Sequence, residues 1–198
     1  INHVKTKIGL RTILNNRYYL SIIILSVVSV LCYMFLDYSF LSFSREEFKD
    51  KKSLTAFLSL FYGAGKLAEF IFKTFISGRY IEKYGLKFGL GVLPIVLISI
   101  NFLILACFIF DFSEKTIFIL IALNMGLMVV LNKSFEVPSF NLLFQPLDSA
   151  TKISVQTLVS GKAKLFGMLL AGGTLLTISL YESITLIISV TLMILLII

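Results

Sequence analysis

Six stretches of mostly apolar residues, about 18–37, 54–77, 88–110, 115–133, 156–180 and 183–198, take up most of this chain. A helix needs roughly 20 such residues, at about 1.5 Å of rise each, to cross the hydrocarbon core of a bilayer. Hydrophobic residues make up 58% of the 198, more than one soluble core of this size would hide. The expected fold is an all-α membrane protein: a basic juxtamembrane segment, 1–17, followed by a six-helix transmembrane domain, 18–198. The fifth stretch is the least clean, because Lys162 and Lys164 interrupt it. The chain begins at Ile1 and stops inside an apolar run at Ile198, so we expect a segment of a longer protein. The first apolar run is too long for a signal peptide and has no small-residue cleavage pattern, so none is expected.

Charge distribution sets the expected orientation. The net charge is +7. With the N-terminus in the cytoplasm, inner segments hold Lys5, Lys7, Arg11, Arg17, Arg79, Lys83, Lys87, Lys133, Lys152, Lys162 and Lys164. Outer segments hold Arg45, Lys49, Lys51, Lys52 and Lys115. Eleven against five follows the positive-inside rule, with both ends of the segment cytoplasmic. The bilayer explains the basic start as well, so no nucleic-acid partner is implied. The expected location is the bacterial inner (plasma) membrane, crossed several times.

The connections differ in character. Asp37 to Ser53 is mixed in charge and reads as a solvated outer loop with at most a helical turn. Gly78 to Lys87 is short and basic, Asp111 to Lys115 is a tight outer turn, and Lys133 to Thr157 carries two of the three prolines. Tyr181 to Ser183 makes the last two spans a hairpin. Gly172-Gly173 and Gly63-x-Gly65 are the glycines expected at close helix approaches. Gly63-x-Gly65 follows no strand, so it is not a dinucleotide fingerprint. Cys32 and Cys107 fall within spans and read as small buried residues, with no disulfide or metal implied. His3 stands alone near a terminus and receives no role.

The chemistry concentrates in span two. Lys66, Glu69 and Lys73 lie in an otherwise apolar run, within about 60° on one helical face, with Tyr62 beside them. Each ionisable group at bilayer depth costs at least ~2.5 kcal/mol on insertion scales, so this face should look into protein or water. Glu69 precedes Lys73 by four residues, the favourable order for a helical ion pair. Lys66 is then the residue left without a partner, about 12 residues or ~18 Å from the outer end of its span. A lysine near the midplane suits an anionic substrate. Asn124, mid-span in the fourth stretch, can donate to a substrate or to a neighbouring helix, and Asn101 reads the same way with less claim on a cavity. Lys162 and Lys164 line a cytoplasmic mouth or reach toward headgroups. Asn132-Lys133 is expected to meet headgroups or a latch carboxylate.

Gly78, Glu82, Lys83, Gly85 and Lys87 resemble the cytoplasmic loop of a six-helix half in the major facilitator superfamily, Gly-x-x-x-Asp-Arg/Lys-x-Gly-x-Arg/Lys, with Glu in place of Asp. Lys133-Ser134 to Pro138, then Leu143-Phe144-Gln145-Pro146-Leu147 and Lys152, resemble the segment after the fourth helix in ATP/ADP translocase-like transporters. Arg17-Tyr18-Tyr19-Leu20, Leu36 to Phe40, Phe61-Tyr62-Gly63 and Leu93-Pro94 are similar to anchors in the C-terminal half of that branch. The resemblance implies a six-helix, facilitator-type half that rocks against an absent N-terminal half, or is joined to a soluble domain. It further implies secondary transport of an anionic solute, such as a nucleotide, by exchange or symport. Lys66, Lys73, Glu69, Tyr62 and Asn124 would face substrate, Glu69 holding Lys73 or carrying a coupling proton. Gly78, Glu82, Lys83, Gly85 and Lys87 would form the cytoplasmic latch. The alternative is a membrane scaffold or sensor subunit that keeps the fold without transport. No catalytic set, metal cluster or cofactor loop is legible, so enzyme chemistry is not expected.

Overall fold

A computed structural model describes residues 15–179 together with Thr191. The sixth expected span, 183–198 apart from Thr191, its hairpin turn and most of the basic start lie outside the described residues. Among the described residues every regular element is helical. Three runs, Arg17–Glu47, Lys51–Ile109 and Glu114–Leu142, are long and apolar enough to cross a membrane.

Helix α1 is Arg17–Glu47, 31 residues or about 46 Å long. Asn16 caps it, its side chain accepting from the Tyr18 N–H at 2.9 Å. The expected outer loop from Asp37 to Ser53 shrinks to Phe48, Lys49 and Asp50. The helix runs on because its far end still has a core to cover: Phe40 and Phe43 are buried, and Phe40 stacks on Phe61 with ring centroids 4.5 Å apart. The serines there do not interrupt it. Ser39 and Ser44 donate back to the carbonyls of Phe35 and Phe40 at 2.9 and 2.7 Å.

Asp50 then caps α2 (Lys51–Ile71), accepting from the Ser53 N–H at 3.2 Å. A π-helical stretch, Phe72–Ser77, leads straight into α3 (Gly78–Ile109). The expected loop from Gly78 to Lys87 is thus helical except at Gly85, where φ is 80° and ψ is −179°. Side chains with a Cβ rarely adopt that conformation, so a glycine is what lets the path bend there. Both arms pack on α4 (Glu114–Leu131). The core between α1, α3 and α4 centres on Phe40, Leu97, Ile104, Met125 and Met128. Cys32 and Cys107 are buried and free, as expected.

The fourth span does not end at Lys133. A second π-helical stretch, Asn132–Glu136, carries it into α5 (Val137–Leu142), straight past Pro138. Proline has no N–H, so the carbonyl of Ser134, four residues earlier, loses its helical donor. The Ser77 hydroxyl donates to that carbonyl instead, from the π-helical stretch ahead of α3. The chain breaks only over 143–148, around Pro146. Asp148 caps α6 (Ser149–Leu158), and a third π-helical stretch, Val159–Ala163, joins it to α7 (Lys164–Ser179), which packs on α1.

Among the described residues the close-approach glycines are not the ones expected. There a Cβ on Gly63, Gly172 or Gly173 would meet nothing within 4 Å, and on Gly65 only ordinary contact with Val129. The tight sites are Gly167, where a Cβ would lie 3.2 Å from the Val27 carbonyl oxygen, and Gly89. A Cβ on Gly89 would collide with the Ser139 hydroxyl and sit 3.0 Å from the Ser139 Cβ. We expect Gly89→Ala to cost about 1–3 kcal/mol in thermal unfolding in detergent, the usual range for overpacking. In a Ser139→Ala background the same change should cost measurably less, because the colliding oxygen is gone. Additive effects of the two substitutions would contradict this contact.

Candidate functional site

The second π-helical stretch places polar groups where the outer surface of span four would otherwise be apolar. Asn132 and Glu136 stand four residues apart on one face, and the Asn132 Nδ2–H donates to Glu136 Oε2. Across the interface, the Ser29 hydroxyl of α1 donates to Glu136 Oε1. Glu136 is only 9% exposed, and a carboxylate that buried requires donors on its oxygens. Its two bonds leave further acceptor capacity, since an ionised carboxylate offers about four lone-pair sites.

Beside this carboxylate opens a cavity of about 380 Å³ between α1, the α4–α5 run and the junction of α6 with α7. Tyr33, Lys133, Glu136, Asn141, Ser160 and Lys164 line it. Glu136 also borders a void of about 10 Å³, together with Ser29, Cys32, Leu90 and Pro94. Pro94 removes the N–H that the Leu90 carbonyl would otherwise accept, so an acceptor is freed at that void. Neither Lys133 nor Lys164 closes on Glu136: among the described residues the one ion pair within 4.0 Å is Lys66–Glu69. The cavity lining therefore carries two ammonium groups and one carboxylate that form no contact pair, together with amides and hydroxyls. Such a site can hold an anion through charge-assisted hydrogen bonds.

The face expected from sequence lies elsewhere. Lys66 pairs with Glu69 at 2.8 Å, and the lysine side chain is 67% exposed. The expected Glu69–Lys73 pair is not formed, and Lys73 is exposed. Helical geometry permits either partner, three or four residues away, so spacing alone did not decide between them. The Tyr62 hydroxyl donates to Asp37 Oδ1 at 3.2 Å, tying α2 to α1. Tyr33, one turn before Asp37, is close enough to feel both Asp37 and Lys66, and is the residue that joins this face to the cavity.

Asn124 is fully buried in the core, away from the cavity, and its Oδ1 has no hydrogen-bond partner among the described residues. Asn101 donates to the Leu97 carbonyl of its own helix at 2.8 Å. Of the two lysines expected at a mouth, Lys164 lines the cavity and Lys162 does not. The expected latch residues are spread along a helical arm: Gly78 stands in open space, Gly85 provides the bend, and Glu82 and Lys87 are exposed without an ion pair among the described residues. Lys83 lies over the Tyr84 ring, 5.2 Å from its centroid.

Glu136, Ser29, Tyr33 and Asn141 are the site residues that sequence reasoning missed. Ser26, Ser29 and Tyr33 repeat at three and four residues along span one, a polar stripe at helical spacing that was available as a signal. The chain matches no protein-family model, no curated protein and no solved structure. What fold and site define is an all-helical chain with three runs fit to cross a membrane, and a polar cavity of mixed charge where two of those runs meet the α6–α7 junction.

The two buried native cysteines leave a quiet background for labelling. We expect Ser160→Cys, at the cavity, to react readily with a hydrophilic methanethiosulfonate reagent in membranes. Ser44→Cys, fully buried in the α1 core, should stay unreacted. Equal labelling of the two, measured by mass shift, would contradict a water-accessible cavity.

Proposed function

We propose that this chain is a membrane-embedded half of a secondary carrier for a small anionic solute, a nucleotide among the candidates. It would work by alternating access against a second half, as the resemblance to ATP/ADP translocase-like transporters implies. The observation that carries the proposal is the pair Lys133 and Lys164 on a cavity of about 380 Å³, with neither lysine in an ion pair among the described residues. Both lysines are exposed, so each can reach a ligand or water at this polar hollow. Lysine serves phosphate as a point charge. With both termini cytoplasmic, the cavity would lie at the inner ends of spans four and five, at a mouth through which solute enters or leaves. Carriers of this type bind solute between rigid halves that rock around it.

The substrate role of the α2 face changes accordingly. Lys66 is already answered by Glu69, so it would attract an approaching anion rather than clasp it. That same pairing favours a second reading, a scaffold or sensor subunit whose charged face is neutralised in place. Uptake separates the two. In proteoliposomes holding the protein together with its second half, Lys164→Gln and Lys133→Gln should each lower uptake of a radiolabelled anionic solute by about tenfold, the loss of one charge-assisted contact. Lys66→Ala should lower it far less. No uptake by the wild type across a panel of nucleotides and organic phosphates would favour the scaffold. A larger loss at Lys66 than at Lys164 would return the site to α2.

A further inference from the structure

The cavity holds both signs of charge, and that fact narrows what it can recognise. A pure anion site gains nothing from a carboxylate on its wall. Glu136 nevertheless reaches the cavity lining while remaining 91% buried on its other sides, the complement of its 9% exposure. Ser29 donates to Oε1 and Asn132 to Oε2, so the carboxylate is fixed in orientation by neutral donors and not by a lysine. Lys133 projects from the same π-helical stretch and Lys164 from the start of α7. Had the role of Glu136 been to neutralise these lysines, a contact pair would be the low-energy arrangement, as Lys66 and Glu69 show on the same molecule. Instead neither lysine comes within 4.0 Å of a Glu136 oxygen, and all three residues line one opening large enough for a small solute.

We propose that Glu136 is a specificity-determining residue of this site: the ligand carries an anionic group for Lys133 and Lys164 and, on the same molecule, an ammonium or N–H donor for Glu136. The inference rests on the reading of the cavity as an anion site and adds the second pole. Two sources share this chemistry, a free zwitterionic solute and the phosphoethanolamine headgroup of a lipid reaching in from the bilayer.

The test is a matched pair of probes, phosphoethanolamine and ethyl phosphate, alike except for the ammonium group. Affinities are measured by calorimetry on the purified wild-type protein in lipid-free detergent. We expect phosphoethanolamine to bind about tenfold more tightly, the worth of one added charge-assisted contact. Glu136→Gln should raise the affinity for ethyl phosphate and lower that for phosphoethanolamine, bringing the ratio to one or below. A merely structural role for Glu136 would move both affinities together. Equal binding by the wild type, or preference for ethyl phosphate, overturns the inference and leaves the anion cavity standing. Binding of neither probe removes the anion cavity as well. Because the wild-type ratio decides alone, poor folding of Glu136→Gln does not protect the proposal. Repeating the measurement in nanodiscs separates the sources. Loss of phosphoethanolamine binding in phosphatidylethanolamine discs, but not in phosphatidylglycerol discs, assigns the ligand to the headgroup. Unchanged binding in both assigns it to a free solute.

Discussion

Glu136 can be buried only because two helices bring donors to its two oxygens, and much of the surrounding architecture follows from that requirement. The effective cost of taking a carboxylate out of water is several kcal/mol even after relaxation. Ser29 from α1 and Asn132 from the same helical run offset it. These bonds fix α1 against the second π-helical stretch at one level. At that level the Ser77 hydroxyl takes over the Ser134 carbonyl that Pro138 leaves without a donor. A carboxylate held by side-chain donors and a backbone carbonyl held by a hydroxyl thus occur side by side, in a setting where unsatisfied backbone groups are expensive. Single-turn π-helical distortions are frequent at functional sites, and here two of the three border the cavity.

Close packing holds this junction in place. Gly89 lets α3 approach Ser139 of α5, and Gly167 brings α7 onto the backbone of α1 at Val27. The first contact supports the cavity from behind the α4–α5 run, and the second supports it from the side of Lys164. Glycines at such crossings allow helices to associate where lipid tails offer little hydrophobic drive. Away from the junction, stacked rings hold α1 to α2: Phe40 on Phe61 and, just past the end of α1, Phe48 on Phe57 with centroids 4.6 Å apart. Rigid packing at one end and aromatic contact at the other give α1 two well-defined attachments along its length.

Local composition made the apolar spans and the buried cysteines legible, but not their limits. Arg45, Glu46 and Glu47 read as solvent, yet α1 continues to Glu47 because Phe40 and Phe43 still have neighbours to cover. Pro138 falls in the expected connection after span four, yet the helix passes it because Ser77, 57 positions earlier than Ser134, supplies the missing donor. Long-range partners of this kind leave no local trace. Ending span four at Lys133 also hid Glu136, which the rule that flagged Lys66 would have flagged had the span been drawn to Leu142. Lys164 was legible because a charge inside an apolar run is visible without any fold. Which glycines touch a neighbour was not, since that depends on which helices meet.

The two groups of charge in this molecule show what pairing decides. On α2, Lys66 and Glu69 come to 2.8 Å, and each removes the other's need for a third party. The lysine remains largely accessible, so the pair contributes little to stability, in the manner of other exposed pairs. Around the cavity, Lys133, Lys164 and Glu136 remain unjoined, although flexible lysine side chains close such gaps readily where packing allows. Opposite charges kept apart in surroundings less polar than water hold a field across the space between them. That field is strongest for a solute carrying both signs, whose anionic end meets the lysines while its donor meets the carboxylate.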